Sequence, residues 1–409
     1  MKIVLAGGGS AGHINPMLAL AKKAKVYGLT VSVIAGADGL DNSLVNKNQY
    51  RTFFIKKVVF PRLTNYSLVT YSDVNCVGQK GIKNVFLKKV IFKSISQKLR
   101  FIISVVKFPF NLIKQIRRCR IILKQQSADA VLGFGGYICP PVYLAAYSLK
   151  IPIYIHEANV KVGLANRLGA KFAKRFFTAF PNTQIKTVNL EYTGLPLREE
   201  IIGTKSAAFK LNKFDGDKQI NQNSKKNSNS SVDKKTLLIM GGSLGAKSIN
   251  QTIIKVLPDI LPLFNVIHLT GKDKAEIIPQ IDLAKGNYKQ IEYCDNMSAL
   301  LSKVSFAIAR SGASTVLEFA AIGLPACFVP LEIGNGEQII NAKYLSRTDG
   351  AIICRNVDFT PDYIRTQILP ILQNSAKLKQ MSNNCLKMAK IEASQIIIET
   401  IISDIFKDD

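Results

Sequence analysis

Short runs of aliphatic and β-branched residues alternate along this chain with longer amphipathic stretches. Runs of about four to six such residues are typical of buried strands, and the stretches between them are long enough for helices. This alternation predicts βαβ units with parallel sheets, and therefore an α/β fold. The predicted strands cover residues 2–6, 30–35, 130–133, 151–155, 236–240, 265–269, 305–309 and 325–330.

A strand followed by a glycine-rich turn occurs twice. The run Ile3–Ala6 leads into Gly7–Gly12, and the run Thr236–Met240 leads into Gly241–Ala246. A repeat of this plan predicts two Rossmann-like domains. Residues from about 205 to 235 interrupt the pattern, because they are rich in Asn, Ser and Lys and almost without aliphatic residues. They predict a mobile polar insertion that joins neither core.

The composition narrows the class of protein. A chain of 409 residues predicts two or three domains. The 55 basic and 28 acidic residues give a formal charge of +27, which favours partners such as nucleic acid, anionic lipid or phosphorylated substrates. The seven cysteines include no C-x-x-C pair, which favours reduced thiols in a cytosol. No apolar run has the length of a signal peptide or a membrane-spanning helix, so we expect neither.

One segment has no acidic residue at all. Between Val74 and Ser127 there are thirteen Lys or Arg and no Asp or Glu. Apolar residues are interleaved with these cations, and this pattern predicts basic amphipathic helices. Two interpretations remain open: a helical layer with a solvated lysine face, or a peripheral face that lies on anionic lipid. In the second, the residues at the membrane face are Phe86, Lys88, Lys89, Phe92 and Lys93.

The first glycine-rich turn carries a G-x-G-x-x-G pattern on Gly7, Gly9 and Gly12. Such a turn brings backbone N–H groups and a helix N-terminus to a phosphate or a polar substrate. The pattern alone is a weak signal, and together with Asp38 it also fits a dinucleotide-dependent dehydrogenase. His13 follows at once. An imidazole suits proton transfer near neutral pH, although a neutral capping histidine fits the same position.

Polar residues concentrate after another predicted strand, where His156 is followed by Glu157 and Asn159. The carboxyl ends of parallel strands are where α/β folds place ligand sites, so these residues are candidates. The other two histidines, His13 and His268, are too distant along the chain to suggest a metal site.

The densest cluster of candidate ligands covers Ile308–Glu318. A strand ends here and small residues open a helix, whose free backbone donors and Thr315 can hold a diphosphate. A carboxylate beside a phosphate is repelled unless it accepts hydrogen bonds from sugar hydroxyls. Glu318 therefore predicts a ribose contact, while a role as partner of the helix dipole remains open.

Seven motifs follow one another along the chain: His13 after its glycine loop, Gly133–Tyr137, His156–Asn159, Gly194–Arg198, Gly241–Ala246, Arg310–Glu318 and Gln338–Ala342. From residue 1 to about 355 the chain thereby resembles the MurG family, the bacterial UDP-N-acetylglucosamine:lipid I N-acetylglucosaminyltransferases of peptidoglycan synthesis. The resemblance implies a GT-B architecture, in which two Rossmann-like domains face each other across a cleft. It also implies that residues 1–197 form the acceptor domain and 198–384 the donor domain, which contains the polar insertion, and that a helix at about 385–409 packs back on the first.

The resemblance also implies site residues. Glu318 matches the ribose ligand, Gln338 the residue that holds the acetamido sugar, and Cys294 the backbone contact to uracil. The loop that ends at His13 matches the one that receives the acceptor pyrophosphate. Ala11, Ala158 and Glu337 depart from the family pattern. The full set of implied substrate contacts is Ser10, Ala11, Gly12, Asn159, Arg198, Ser243, Cys294, Ala313, Ser314, Thr315, Val316, Leu317, Glu318 and Gln338.

The implied reaction moves GlcNAc from UDP-GlcNAc to the 4-hydroxyl of the MurNAc unit of undecaprenyl-pyrophosphoryl lipid I, with inversion at the anomeric carbon. The hydroxyl must lose a proton and the departing UDP must be stabilised. His13 is the first candidate for the base and Glu157 the second. Helix N-termini and Arg198 serve as electrophiles, so we expect no metal and no other cofactor. We expect a peripheral enzyme on the cytoplasmic face of the bacterial inner membrane.

Two other classes of protein explain parts of the sequence. A nucleic-acid-binding protein explains the charge, but no aromatic-basic module of nucleic-acid recognition is present, and we expect no nucleic-acid partner. A dehydrogenase explains Gly7–Gly12 and Asp38 but leaves the loops of Ser243 and Glu318 without a role.

Overall fold

The computed structural model describes residues 1–37, 45, 50–58, 80–186, 189–210, 234–242, 245–277, 287–332 and 336–407, and for residues 80–101 it describes only the course of a helix. Within these ranges the chain forms two domains, each built on a parallel sheet. Several predictions lie outside the described residues: those for Asp38, for Ser243 and for residues 211–233 of the insertion, and those for the side chains of Phe86, Lys88, Lys89, Phe92 and Lys93.

The first domain contains seven parallel strands. They are β1 (Lys2–Ala6), β2 (Thr30–Gly36), β3 (Arg51–Ile55), β4 (Ala130–Gly133), β5 (Ile153–Glu157), β6 (Arg175–Thr178) and β7 (Leu190–Tyr192). Their order in the sheet is β3-β2-β1-β4-β5-β6-β7. This is the Rossmann order, whose ligand crevice lies at the carboxyl ends of β1 and β4. The predicted fold class is therefore confirmed for this half of the chain.

Helices cover both faces of this sheet. They are α1 (Ala11–Val26), α2 (Lys80–Gln126), α3 (Cys139–Ser148) and α4 (Leu164–Gly169). On one face Ile14 and Leu20 of α1 pack against the strands, and on the other Leu123 of α2 and Val142 of α3 do so. Because both faces are buried, the central strands appear in the sequence as continuous aliphatic runs.

The acid-free segment forms one helix of 47 residues in α2, where we expected several helices. Among the α2 residues whose side chains are described, Cys119, Ile122 and Leu123 near the C-terminal end join the core. None of the helices in the described ranges combines the length and the apolar character that a bilayer crossing requires.

The second domain repeats the plan with six parallel strands. They are β8 (Thr236–Met240), β9 (Asn265–Leu269), β10 (Tyr288–Ile291), β11 (Phe306–Ala309), β12 (Ala326–Phe328) and β13 (Ala351–Ile353), in the order β10-β9-β8-β11-β12-β13. The helices are α5 (Glu199–Ile202), α6 (Ala207–Lys210), α7 (Lys247–Ile260), α8 (Met297–Leu301), α9 (Ala313–Ile322), α10 (Glu337–Ser346), α11 (Pro361–Tyr363), a π-helical turn (Ile364–Ile368), α12 (Leu369–Gln373) and α13 (Ser375–Lys387).

A last helix, α14 (Ala393–Phe406), crosses back to the first domain. Its Ile397 and Ile401 are buried in the core beneath α1. Arg175 of β6 donates two hydrogen bonds to the Asp404 carboxylate, at 2.5 and 2.6 Å. The crossing helix thus begins at Ala393, whereas the range expected from the resemblance starts at about 385. Cys385 belongs to α13 and is buried in the core of the second domain.

Candidate active site

The loop after β1 brings His13 to the crevice of the first domain. Ser10 is the N-cap of α1, and its carbonyl oxygen accepts hydrogen bonds from the N–H groups of His13 and Ile14 at 3.1 and 3.2 Å. The N–H groups of Ala11 and Gly12 lie in the first turn, where a helix offers them no acceptor. The turn that the sequence predicted as a phosphate site thus lies at the N-terminus of α1, and its role in binding an anion stays a prediction.

The His13 imidazole is half-buried beside the β4 loop. A Cβ atom on Gly135 would lie 3.3 Å from the His13 Cε1 atom, and Gly135 has a φ of +95°, so glycine lets the ring approach. The His13 Nδ1 atom is buried and has no hydrogen-bond partner among the described residues. A buried nitrogen without a partner costs free energy, so a polar group of a bound substrate at this nitrogen would stabilise the site.

His156 has a different environment from His13. It is completely buried at the end of β5, and its Nε2 lies 2.9 Å from the Gly194 carbonyl oxygen. Burial is the main cause that lowers the pKa of the His156 imidazole to about 4; the hydrogen bond to Gly194 opposes this, and the neighbouring His13 adds a smaller lowering. The ring is therefore neutral and donates to Gly194. It fixes β5 to the segment that connects the domains.

Glu157 organises the loop after β5. One carboxylate oxygen accepts from the Asn159 N–H at 3.0 Å, and the other accepts from the Gly163 N–H and the Asn166 side-chain amide, both at 3.0 Å. Both oxygens are thus occupied by donors of the same loop. This arrangement disfavours Glu157 as the second candidate for the base, because a base needs a free lone pair directed at the substrate.

Asn159 lies where the two domains meet. Its side-chain oxygen accepts a hydrogen bond from the Asn341 amide of α10 at 3.2 Å, and the Asn341 side-chain oxygen accepts from the Val160 N–H at 3.2 Å. Asn341 is completely buried. It received no role from the sequence, although it is part of the motif Gln338–Ala342, and its partner lies in the other domain.

The helix α9 starts directly behind the carboxyl end of β11. Gly312 is its N-cap, and the Gly312 carbonyl oxygen accepts from the Val316 N–H at 3.1 Å. The N–H groups of Ala313, Ser314 and Thr315 precede this first intrahelical bond and are directed out of the helix. The Ser314 hydroxyl is buried without a partner among the described residues.

Three of the implied contacts on α9 have buried side chains. The side chains of Ala313, Val316 and Leu317 are buried in the core of the second domain, so they can offer only backbone groups to a substrate. The Val316 N–H is already used within the helix, and by helical geometry so is that of Leu317. Of these three residues, Ala313 alone has a backbone N–H that precedes the first intrahelical bond.

Glu318 projects from the next turn of α9 toward the domain connection. Its carboxylate lies 3.6 Å from the Arg198 guanidinium, and its side chain is only 15% exposed. Burial raises the pKa of the Glu318 carboxyl above its ordinary value, while Arg198 opposes the rise. The Arg198 Nε is buried without a partner in the described part of the chain. Glu318, predicted to bind the ribose, and Arg198, predicted to stabilise the departing UDP, thus form an ion pair in this structure.

The remaining predicted contacts surround α9. Gln338 of α10 accepts a hydrogen bond from the Leu331 N–H at its side-chain oxygen, at 3.0 Å, and its backbone oxygen accepts from the Ser311 hydroxyl at 2.8 Å. Cys294 is half-buried between β10 and α8. Gly245 closes the loop after β8, where a Cβ atom would lie 2.0 Å from the Thr270 carbonyl oxygen.

Arg310 supports this end of the sheet, a role that the sequence did not reveal. It is 8% exposed, and its guanidinium donates to the carbonyl oxygens of Val329 and Pro330 at 2.9 and 3.1 Å. It also donates to the Ser248 hydroxyl at 3.1 Å. Burial lowers the pKa of Arg310, although Glu332 opposes this.

Comparison with known proteins agrees with this geometry. Residues 3–178 match the glycosyltransferase family 28 N-terminal domain, and residues 236–397 match the glycosyltransferase family 28 C-terminal domain. The UDP-N-acetylglucosamine--N-acetylmuramyl-(pentapeptide) pyrophosphoryl-undecaprenol N-acetylglucosamine transferase of Paenarthrobacter aurescens is 32% identical, over 98% of this chain and 96% of its own length. The transferase of the same description from Clavibacter sepedonicus is 32% identical, over 93% of this chain and 90% of its own.

A solved structure supports the same relationship. The crystal structure of MurG from Acinetobacter baumannii superposes with a TM-score of 0.71 at 26% identity, and covers 98% of this chain and 99% of that one. The likeness spans both domains, and the predicted GT-B architecture is thereby confirmed. The chain belongs to the MurG family of N-acetylglucosaminyltransferases within glycosyltransferase family 28.

Proposed function

We propose that this chain transfers GlcNAc from UDP-GlcNAc to the 4-hydroxyl of the MurNAc unit of lipid I, and that the anomeric centre is inverted. One observation carries the proposal beyond family membership. Buried polar atoms without partners among the described residues occur on both sides of the domain junction: His13 Nδ1, Arg198 Nε, Ser314 Oγ and a Glu337 carboxylate oxygen. Unpaired buried groups cost about 1–3 kcal/mol each, and a polar substrate between the domains would satisfy them.

The donor is assigned to the second domain. The N-terminus of α9, with the Ser314 hydroxyl and Thr315, faces the diphosphate, and the helix dipole attracts its charge. Glu318 accepts hydrogen bonds from the ribose, while Ser243, Cys294 and Gln338 keep the roles implied by the resemblance. Because Glu318 and Arg198 are paired at 3.6 Å in this structure, donor binding exchanges that ion pair for contacts to the sugar and the phosphates.

The acceptor is assigned to the first domain. Its pyrophosphate lies on the turn of Ser10, Ala11 and Gly12, and its 4-hydroxyl gives its proton to the His13 imidazole as the oxygen attacks the anomeric carbon. The bond to UDP breaks on the opposite face of the sugar, which inverts the configuration. Arg198 and the N-terminus of α9 stabilise the charge on the departing diphosphate.

We further propose that the chain docks peripherally on anionic lipid through α2, on the cytoplasmic side of the membrane. This helix has a second apolar stripe on the side opposite its buried residues. Ile103, Val106, Phe110 and Ile113 follow one another at helical spacing and are between 42% and 72% exposed. Lys114, Arg117 and Arg118 lie beside them. An exposed apolar stripe flanked by cations and without acids fits the interface of an anionic bilayer.

Donor binding provides the first test. Replacement Glu318→Ala should weaken UDP-GlcNAc binding roughly 10- to 100-fold in calorimetry, because charge-assisted hydrogen bonds to the ribose are lost. Asp362→Ala is the matched control, since Asp362 is 86% exposed and pairs only within its own helix region. If the Glu318→Ala protein is folded by circular dichroism and binds UDP-GlcNAc like the control, the donor assignment is wrong.

A further inference from the structure

A cavity of about 860 Å³ lies between the two domains, outside the set of donor contacts. From the first domain it is lined by the loops that follow β5 and β6 and by Arg167 of α4, and from the second by α10, by Arg347 at its end and by Met388 after α13. Its floor is apolar, since Phe180 and Tyr344 are almost fully buried and their rings meet edge to face at 5.1 Å. The cavity thus has one wall in each domain.

Four cations line this cavity, two from each domain: Lys161 and Arg167, and Lys343 and Arg347. Every residue of the lining is described, and none is Asp or Glu. Lys343 and Arg347 are four residues apart on one helical face, where like charges repel each other. Their position at the end of α10 suits the helix dipole. The dipole does not explain why a concave surface collects four positive charges from two domains. Such a surface produces a positive electrostatic potential that attracts an anion.

The cavity adjoins the candidate active site. Val160 belongs to its lining, and the Val160 N–H donates to Asn341 in the junction that also holds Asn159. The same helix α10 carries Gln338 at its N-terminal end and Lys343 further along. At a rise of about 1.5 Å per residue, these two positions are only about 7.5 Å apart along the helix axis.

The acceptor named for the relatives carries a pentapeptide on its muramyl sugar. In a muramyl unit the peptide is attached through the lactyl group at the 3-oxygen, which is adjacent to the 4-hydroxyl that attacks. Five extended residues reach up to about 17 Å. A peptide attached in this way ends in a carboxylate, and that charge suits a cavity that is lined by cations and adjoins the domain junction.

We propose that this interdomain cavity binds the carboxylate-bearing end of the acceptor's peptide. The inference rests on the proposed function and adds to it a subsite for the peptide. The apolar floor receives the peptide's side chains, and the cations at the rim bind the carboxylate. Because the walls belong to different domains, a bound peptide also helps to hold the domains together across the cleft.

The test compares an acceptor that carries the peptide with one that lacks it, for the wild type and for a double variant of the cavity. Lys343→Glu combined with Arg347→Glu should raise KM at least about 10-fold for a lipid I analogue with a free peptide carboxylate. The KM for the same analogue without its peptide, and the affinity for UDP-GlcNAc, should stay at wild-type values. Lys255→Glu combined with Lys289→Glu is the control of equal charge, because both lysines are exposed elsewhere on the second domain. Lys343→Gln with Arg347→Gln repeats the test without adding negative charge.

The outcomes separate this inference from the proposed function. If the Lys343/Arg347 variants change KM equally for both acceptors, or change it for neither, the peptide subsite is wrong. The proposed function would still stand, provided that the wild-type protein transfers GlcNAc. If the wild-type protein transfers GlcNAc to neither acceptor, the proposed function itself fails. A melting temperature for the variants close to that of the control ensures that any change in KM reflects binding.

Discussion

At the level of single residues, hydrogen-bond partners decide which polar groups are available to a substrate. Both carboxylate oxygens of Glu157 accept hydrogen bonds, and the His156 ring donates a hydrogen bond to the Gly194 carbonyl oxygen. Both residues were candidates in the sequence because they end a strand, yet their partners assign them to the scaffold. The Nδ1 atoms of His13 and His156 both lack a partner in the described structure, but His156 is completely buried. His13 is half-buried at the crevice, and it remains the candidate for the base.

The two fully buried histidines predict how stability depends on pH. Burial lowers the pKa of His156 and of His268 to about 4, whereas an unfolded chain titrates each near about 6.5. Between these values the unfolded state binds more protons than the folded state. The contribution of these two histidines to the free energy of unfolding is therefore complete above about pH 7, and it is lost as the pH falls toward 4. From pH 7 to pH 5 each histidine should remove about 2 kcal/mol.

Urea unfolding at the two pH values, with His268→Gln as the variant, measures this effect. Gln can still reach Asn250 and Tyr288, the hydrogen-bond partners of His268, but it does not titrate. The variant should therefore lose about 2 kcal/mol less than the wild type between pH 7 and pH 5. An identical pH dependence in both proteins would contradict the assignment of a neutral buried ring.

At the level of elements, the sequence predicts the strands that are buried on both faces and misses others. β1, β4 and β8 are aliphatic runs because sheet and helices surround them. β7 has three residues, and β10 has four with the polar pair Lys289 and Gln290 at its centre, so neither differs locally from a loop. Edge strands such as these are defined by pairing with a neighbour, and the neighbour is not visible in the local pattern.

The helix α2 carries an element-level prediction about the membrane. Phe110→Asp combined with Ile113→Asp should release the protein from phosphatidylglycerol vesicles, because two side chains that would be buried in lipid each contribute about 1.5–3 kcal/mol. Sedimentation should show a loss of bound protein of about 100-fold or more in partition coefficient, even at low salt. The change should leave transfer to a short-chain soluble acceptor intact.

Val26→Asp combined with Val357→Asp is the matched control for this prediction. Both valines are exposed, at 71% and 67%, and both lie on other elements. If the two double variants sediment alike, the exposed stripe of α2 is a solvated helical face, which was the other interpretation of the acid-free segment.

At the level of the whole molecule, the site consists of contacts that no local pattern contains. Asn159 and Asn341 are 182 residues apart in sequence, and the pair of Arg198 with Glu318 also joins remote motifs. The sequence predicts where strands end and helices start because these points have recognisable residues. It could not show which loops meet, or that an interdomain cavity with four cations lies beside them.

The most direct test of the account is GlcNAc transfer to a lipid I analogue by the wild type and by His13→Ala, with the linkage of the product determined by NMR. The account predicts a β-linked disaccharide, one UDP released per transfer, and a turnover lower by about 10²–10⁴-fold in His13→Ala at near-normal donor affinity. His268→Gln, a change at a buried histidine of the second domain, should keep its turnover. An α-linked product, or a His13→Ala protein with turnover close to the wild type, would contradict the account.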